Sequence, residues 1–259
     1  MGVRPLSNNG SIEDYAVSII ARRIAGDIVL SDDPGQSLKK WRDYFEASQQ
    51  VVARVMGVSP SVVSDYEKGR RQPGSKFIQR FVTALLSIDR ARGWPKLTQL
   101  TRTLGVPPGV IIDMRDFDEP LSIAEISEIV EGILLAPTYP SEKKIYGYTI
   151  IDSIRAIASL SGTQFYALLG GTPERAVIFT GVQAGRSPMV AVRVSPVKPS
   201  LVIIHGPRRH VDPLAVKLAE LDGVPLILSL AKSVQDLVAK LRTRSIRNID
   251  LAAAGLPGL

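Results

Sequence analysis

Residues 48–69, SQQVVARVMGVSPSVVSDYEKG, contain the most informative pattern of the N-terminal half. The spacing predicts one short helix over 49–56 and a second over 60–67. Gly57 permits a sharp turn between them that a side chain would hinder, and Pro60 suits the first position of the second helix. The stretch therefore predicts two short helices joined by a tight turn at a fixed angle.

The side chains of these two predicted helices indicate a helix-turn-helix, the unit that places its second helix in the major groove of DNA. Small Ala53 allows the second helix to approach closely, and Val58 fills the corner between the helices. Ser59 is the expected N-cap of the second helix. Val63 and Tyr66 are expected to face inward, which leaves four outward positions: Ser61, Ser64, Asp65 and Lys68.

Basic residues surround the C-terminal end of the second predicted helix. Between Leu38 and Arg80 there are 9 basic and 4 acidic side chains. A docked helix-turn-helix meets the DNA backbone here, so we expect phosphate contacts from the basic residues and base contacts from outward polar ones. The expected phosphate contacts are Lys68, Arg70, Arg71 and Lys76. The alternative is a solvated basic loop in a helical protein-interaction module.

Leu38–Ile88 resembles the Xre-type helix-turn-helix of phage repressors and many bacterial and archaeal regulators. In that family a Gln begins the first motif helix, with an Arg seven residues before it and a Glu eighteen after. Gln49, Arg42 and Glu67 hold those spacings here. The resemblance implies that Gln49 holds a phosphate and braces the recognition helix. It also implies an ion pair between Arg42 and Glu67.

The sequence departs from the Xre pattern at two positions. Glu46 stands where the family usually has Gly before the motif. The first recognition position is Pro60, which has no hydrogen-bonding side chain, so we expect base recognition to shift to Ser61, Asp65 and Ser64.

A narrower resemblance extends over nearly the whole chain, to a group of predicted archaeal transcriptional regulators with a C-terminal α/β domain. It rests on IAGDIVLSDDPG (24–35), GVSPSVVSDYEKGRRQPG (57–74), KIYGYTIIDSIRA (144–156) and GRSPMVAVRVSPVKP (185–199). This resemblance names no ligand.

The C-terminal half alternates short apolar runs with helical segments, which predicts an α/β domain with a mostly parallel sheet. The strand candidates are 146–150, 176–179, 201–204 and 226–228, and the helix candidates are 152–160, 164–169, 213–221 and 233–242. The segment 189–194 suits either a strand or a helix. The predicted fold is α+β with two domains, an all-α helix-turn-helix domain followed by the α/β domain.

Charge is distributed in three blocks. The net charge is +6 over 1–115, −5 over 116–145 and +6 over 146–259. An acidic block between basic ones indicates a boundary between modules. We therefore predict an N-terminal helix and connector (1–35), the helix-turn-helix domain with following helices (36–115), an acidic linker with a short helix (116–145) and a regulatory or dimerisation domain (146–259).

Two loops follow strand candidates in the α/β half, at 180–188 and 205–213. Ligands of open α/β sheets collect outside the carboxyl ends of the strands. Glycine backbones and arginines in these loops suit an anionic, phosphorylated or nucleotide effector. The predicted contacts are Gly181, Gly185, Arg186, His205, Gly206, Arg208 and Arg209. The alternative is that these are ordinary turns with solvated arginines. Residues 175–240 are also similar to the DRTGG domains found beside nucleotide-sensing modules.

Catalytic and metal sites are not indicated by the sequence. The two histidines, His205 and His210, lack an evident third metal ligand, since Asp212 is better explained as a helix N-cap. The chain has no Cys, and the carboxylates of the C-terminal half show no paired spacing. We expect no cofactor and no enzymatic activity.

Composition narrows the class of protein further. The 259 residues carry a net charge of +7, which favours polyanionic partners. No apolar run is long enough to span a bilayer, so we predict a cytoplasmic protein without membrane contact.

These observations predict a transcriptional regulator that binds specific double-stranded DNA sequences as a homodimer. Its C-terminal domain is expected to sense an anionic effector, to dimerise, or to do both. The alternatives are a bridging transcription coactivator and a nucleotide or phosphoryl enzyme with its site on the 181–212 loops.

Overall fold

The computed structural model describes residues 9–102, 109–136, 143–170, 174–207 and 210–246. These residues fall into two compact units. The helical unit is built from 16–102 and the sheet unit from 109–246. The predicted α+β class, a helical N-terminal part followed by a sheet domain, is confirmed.

The helical unit contains the predicted helix pair. Its helices are α1 (Asn9–Val29), which belongs to this unit from Ala16 onward, and then α2 (Pro34–Tyr44), α3 (Gln49–Met56), α4 (Pro60–Glu67), α5 (Ser75–Ala91) and α6 (Pro95–Arg102). The side chain of Asp33 caps α2 by accepting a hydrogen bond from the backbone N–H of Gln36 at 2.9 Å. Helix α2 therefore begins at a cap followed by proline, a combination that fixes its first turn.

The core of the helical unit includes the apolar face of α1. Ile20 and Ile24 are fully buried there together with Leu38, Phe45 and Phe81. Because their surface is already covered, Ile20 and Ile24 are unavailable for contact with a second copy of the chain.

Gly35 brings the start of α2 against the end of α4. A Cβ atom at Gly35 would lie 2.6 Å from the backbone oxygen of Tyr66 and 3.0 Å from that of Glu67. No side chain fits at that distance, so glycine is required for this close approach. The contact fixes where α4 ends relative to α2.

The sheet unit is built on one six-stranded sheet. Its strands are β1 (Ile111–Leu121), β2 (Gly132–Ala136), β3 (Ile145–Asp152), β4 (Arg175–Thr180), β5 (Leu201–His205) and β6 (Leu226–Ser229), in the order β1-β3-β4-β5-β6-β2. The four central strands are parallel, and the edge strands β1 and β2 pair antiparallel with β3 and β6. The predicted mostly parallel sheet is thus confirmed, with antiparallel edges.

Helices cover both faces of the sheet. They are α7 (Ile123–Ile129), α8 (Ser153–Ser159), α9 (Gly162–Gly170), α10 (Arg186–Val194), α11 (Pro213–Asp222) and α12 (Val234–Arg242). The core on one face contains side chains of α8 to α11, and the core on the other contains those of α7 and α12. The chain leaves β5 toward the first face and β6 toward the second. The ambiguous segment 189–194 is helical, as the second half of α10.

The segment 116–145 is not the linker that its acidic composition suggested. It contributes most of β1, all of α7 and all of β2 to the sheet unit, and only the predicted short helix is present as expected. The acidic residues of β1 pair with basic residues of the C-terminal block, Asp116 with Arg175 and Asp118 with Arg244. The two blocks of opposite charge therefore complement each other within one unit.

Asp113 of β1 forms the most buried of these ion pairs. Its carboxylate is fully buried and accepts hydrogen bonds from Arg242 of α12 at 3.0 and 3.1 Å. The hydroxyl of Tyr148 donates to the same carboxylate at 2.8 Å. Burial raises the pKa of Tyr148, and the Asp113 charge raises it further, so the hydroxyl stays protonated and donates.

Candidate nucleic-acid interface and ligand cavities

The turn between α3 and α4 has the geometry that its sequence predicts. Gly57 adopts a left-handed conformation, with φ 64° and ψ 38°. The backbone N–H of Val58 then donates to the carbonyl of Ala53 at 2.9 Å, and Ala53 itself is buried. This closes the end of α3 tightly enough for α4 to start only three residues later.

Ser59 occupies the N-cap position of α4, but its side chain does not cap the helix. The Ser59 hydroxyl instead lies 2.8 Å from the hydroxyl of Ser61. The predicted side-chain cap is therefore wrong. Pro60 has no N–H and already favours the helix start through its fixed φ, so the start of α4 does not depend on the serine.

A buried polar network ties α4 to the preceding helices. Arg42 donates to the two carboxylate oxygens of Glu67 at 2.6 and 3.0 Å, and Gln49 donates to Glu67 at 2.7 Å. Arg42 also donates to the backbone oxygen of Ala47 at 2.9 Å. Arg42 and Glu67 are each only 9% exposed. The ion pair and the bracing role implied for Gln49 are both present.

Glu46, the departure from the usual glycine, has a left-handed backbone with φ 51°. Glycine is common at such positions because a side chain strains this conformation. The Glu46 carboxylate forms an ion pair with Lys96 of α6, and this hydrogen bond lowers the pKa of Glu46. The side chain thus makes a contact that glycine would lack.

An aromatic stack fixes α4 against α5. The rings of Tyr66 and Phe77 lie 3.7 Å apart between centroids, with 29° between their planes. Val63, one turn earlier on the same face of α4, is fully buried. The inward face of α4 is therefore the one that the sequence predicted, and its opposite face is presented to solvent.

The predicted DNA contacts lie around this solvent face. Ser61 and Lys68 are exposed, Ser64 and Asp65 are half-buried, and Arg70, Arg71 and Lys76 extend from the following loop and the start of α5. Gln49 is half-buried at the start of α3. Asp65 lies 3.4 Å from Arg70 and 3.9 Å from Arg71. These arginines therefore partly neutralise a predicted base-contacting carboxylate, a pairing that was not expected from the sequence.

A first cavity in the sheet unit, here called the β4 cavity, opens at the carboxyl ends of β3 and β4. Its volume is about 410 Å³. Gly181, Gly185 and Arg186 line it, as predicted for an effector site, and so do apolar residues of α8 and α9. This volume lies within the range of small-molecule sites, about 300–1,000 Å³.

Arg186 at the mouth of the β4 cavity is already paired. Its guanidinium contacts the Asp212 carboxylate at 2.6 Å, and Asp212 also caps α11 by accepting from the Leu214 N–H at 2.9 Å. The hydrogen bond from Leu214, and then those from Arg186, lower the pKa of Asp212. The mouth of the cavity therefore carries a balanced pair of charges.

A second cavity of about 530 Å³, here called the β5 cavity, opens at the carboxyl ends of β5 and β6. His205 and Gly206 line it, and Gly181 lines both cavities. The connections after β5 and β6 cover opposite faces of the sheet, the arrangement that creates a crevice. The predicted effector residues are thus divided between two cavities, and Arg208 and Arg209 lie outside the described residues.

Two kinds of residue in the β4 cavity were not predicted from the sequence. Ser153, directly after β3, lines the cavity, and so do the apolar side chains of Ile157 and Phe165. The position of Ser153 at the end of a predicted strand was an available signal, because neighbouring parallel strands end at the same edge. The apolar residues carried no such signal, since helices of any α/β domain have apolar faces.

The described residues contain no group of three or more His, Asp or Glu side chains arranged to hold a metal ion. None of the helices in this part of the chain is long and apolar enough to cross a membrane.

The turn, the buried network and the basic surface around α4 together define a helix-turn-helix DNA-binding unit. The helix-turn-helix family matches residues 38–85. An HTH-type transcriptional regulator of Archaeoglobus fulgidus is 45% identical over 226 residues, which cover 87% of this chain and 97% of the relative. Another, of Methanocaldococcus jannaschii, is 45% identical over 212 residues, 80% of this chain and 88% of the relative. The chain belongs to the HTH-type transcriptional regulators.

One solved structure shows a weak similarity. It contains the CBS and DRTGG domains of the regulatory region of Clostridium perfringens pyrophosphatase, complexed with the activator diadenosine tetraphosphate. The TM-score is 0.34 with 13% identity, over 49% of this chain and 50% of that one. A similarity at this level establishes neither a common fold nor a common ligand.

Proposed function

We propose that this DNA-binding regulator recognises a specific double-stranded sequence by placing α4 in the major groove. The observation that carries the proposal is the fixed orientation of α4. The buried Arg42–Glu67 pair and the Tyr66–Phe77 stack hold its inward side, so its outward residues face one direction. A helix held in this way presents base-contacting side chains without a large loss of conformational entropy on binding.

Phosphate contacts position the helix in this proposal, and base contacts give it specificity. The proposed contacts with the DNA backbone come from Gln49, Lys68, Arg70, Arg71 and Lys76. The proposed contacts with base edges come from Ser61, Ser64 and Asp65, and Ser59 is a further proposed DNA contact at the start of the helix. The Arg70 and Arg71 side chains are 67% and 57% exposed, so phosphates can reach them without rearrangement. Their proximity to Asp65 reduces repulsion between its carboxylate and the DNA.

The combined substitution Arg70→Ala and Arg71→Ala is expected to weaken binding to every duplex by roughly ten-fold or more at moderate salt. The slope of log affinity against log salt concentration should fall by about one unit for each lost phosphate contact. Fluorescence anisotropy titrations at several salt concentrations measure both quantities.

Lys39→Ala combined with Arg90→Ala is the matched control, because it removes the same charge from α2 and the end of α5. A double mutant at 70 and 71 that binds like this control would contradict the proposed docking face. Ser61→Ala should instead change the sequences selected from a random library more than it changes the general affinity. Equal affinity of the native protein for selected and random duplexes would favour the bridging coactivator.

We also propose that the protein acts as a homodimer. A single helix-turn-helix makes few base contacts, and two half-sites about 34–36 Å apart are usually matched by a two-fold dimer. Val194 of α10 and Leu221 of α11 are more than half exposed and offer apolar surface to a second copy. Light scattering should give twice the chain mass of 28.1 kDa. A monomer at micromolar concentration, bound to a non-palindromic site, would contradict this.

The sheet unit is proposed to sense a small anionic effector at the carboxyl ends of its parallel strands. The two cavities there support this, since both are lined by residues that immediately follow strands. Coupling between effector and DNA of about 1–3 kcal/mol would change the DNA affinity by roughly 5–150-fold.

A further inference from the structure

We propose that the β4 cavity binds a small molecule with an apolar, ring-sized body and a single anionic group. The apolar body would lie between α8, α9 and α10. The anionic group would meet the N-terminus of α10 and the hydroxyl of Ser153. This ligand would be the effector of the proposed regulator, and only its link to DNA binding rests on the proposed function.

The walls of the cavity determine the body of the ligand. Its lining includes Ile154 and Ile157 of α8, Phe165 of α9, Phe179 of β4 and Ala191 of α10. Ile154 and Ile157 are 67% and 72% exposed at its edge. Two such isoleucines beside an open cavity leave apolar surface that an apolar ligand would cover.

The N-terminus of α10 determines where the charge lies. This nine-residue helix starts after Gly185, which has a left-handed backbone and no side chain with which to cap the helix. At the other end, Lys198 donates to the carbonyl oxygens of Val192, Arg193 and Ser195. The negative end of the helix dipole is therefore neutralised by a cation, whereas the positive end at the cavity has no side-chain acceptor.

Ser153 provides an independent indication of a ligand. The residue is 7% exposed and lines the β4 cavity. Its hydroxyl has no hydrogen-bond partner among the described residues. A buried hydroxyl without a partner is unfavourable, and a ligand oxygen in the cavity would supply one.

The mouth of the cavity limits the number of charges on the ligand. Arg186 and Asp212 are paired there, so the entrance presents no net positive charge. Because Asp212 already neutralises Arg186, the mouth offers no uncompensated positive charge to the additional phosphates of a nucleoside triphosphate. A single anionic group, whether a carboxylate, a sulfonate or a phosphate ester, needs only the helix N-terminus and the Ser153 hydroxyl.

Two fluorescent probes test this chemistry on the full-length protein without DNA. 1-Anilinonaphthalene-8-sulfonate has an aromatic body and one sulfonate, and N-phenyl-1-naphthylamine is its uncharged counterpart. The protein should bind both, and the sulfonate more tightly. Because DNA is absent, failure of this inference leaves the DNA-binding proposal standing, and failure of DNA binding leaves this inference standing.

Variants locate the site. Ala191→Phe fills the cavity and should abolish binding of both probes. Ser153→Ala should lower the affinity for the sulfonate probe about ten-fold and leave the affinity for the uncharged probe unchanged. Its melting temperature without ligand should stay the same or rise, because an unpartnered buried hydroxyl is removed. Lys232→Ala in the β5 cavity is the matched control and should change neither affinity.

Two results with these variants would overturn the proposal. One is binding of both probes to Ala191→Phe with unchanged affinity. The other is a Ser153→Ala protein that melts earlier and binds the sulfonate normally, which would make the hydroxyl structural. Competition then identifies the anion: phenylpyruvate and AMP compare a carboxylate with a phosphate ester, and either should displace the sulfonate. Displacement by inorganic phosphate or ATP alone would contradict an amphipathic ligand with a single anionic group.

Discussion

Asp113→Ala is expected to lower the free energy of unfolding of the sheet unit by about 3–5 kcal/mol. The Asp113 carboxylate is fully buried and contacts Arg242, Tyr148 and Arg115. Its removal leaves the Arg115 guanidinium, which is 10% exposed, without this counter-charge. Urea denaturation followed by far-ultraviolet circular dichroism measures the loss.

Asp118→Ala is the matched control on the same strand. Its ion pair with Arg244 spans 3.9 Å and is solvent-exposed on both sides. Exposed pairs contribute about 0–1 kcal/mol, so this variant should unfold almost like the native protein. Equal losses for the two substitutions would show that the Asp113 network does not hold β1 in place.

Glu67→Ala is expected to lower the free energy of unfolding of the helical unit by about 3–5 kcal/mol. Arg42 and Gln49 both lose their hydrogen-bond acceptor while remaining largely enclosed. Both tryptophans of the chain, Trp41 and Trp94, belong to the helical unit. Their fluorescence therefore reports the unfolding of this unit alone, and its transition should move to lower urea concentration. DNA affinity should fall together with it, since α4 loses its brace.

Replacement of both partners is the control for Glu67. Arg42→Met combined with Glu67→Met removes both charges and keeps much of the volume. The free energy of unfolding should therefore fall less than in Glu67→Ala. An unchanged fluorescence transition in Glu67→Ala would show that the pair contributes nothing to stability despite its burial.

The features predicted correctly from the sequence depend on residues close together in the chain or on apolar runs. Gly57 and Pro60 fix the turn within four residues, and β3 to β6 are apolar because they are buried on both faces. The Arg42–Glu67 pair was accessible through the spacing of a known motif. Each of these signals can be detected without knowing what the distant parts of the chain contribute.

The missed features depend on partners far along the chain. Strand β1 has an acidic sequence, and its buried Asp113 accepts a hydrogen bond from Arg242, which lies 129 residues later in the chain. Arg186 was expected to be available to an anion, but Asp212 is held beside it by the backbone hydrogen bond from Asp212 to Ala184 at 2.8 Å. Local composition cannot reveal such pairs, because each residue taken alone is typical of a solvated surface.

The strand order has a consequence for synthesis of the protein on the ribosome. Both edge strands, β1 and β2, emerge before any central strand, and β3 to β6 must later pair between them. The contact of Asp113 with Arg242 forms only when α12 has left the exit tunnel. The contacts within 16–102 are available much earlier. A nascent chain therefore carries a folded DNA-binding unit while its sheet unit is still incomplete and its strand edges are exposed to other chains.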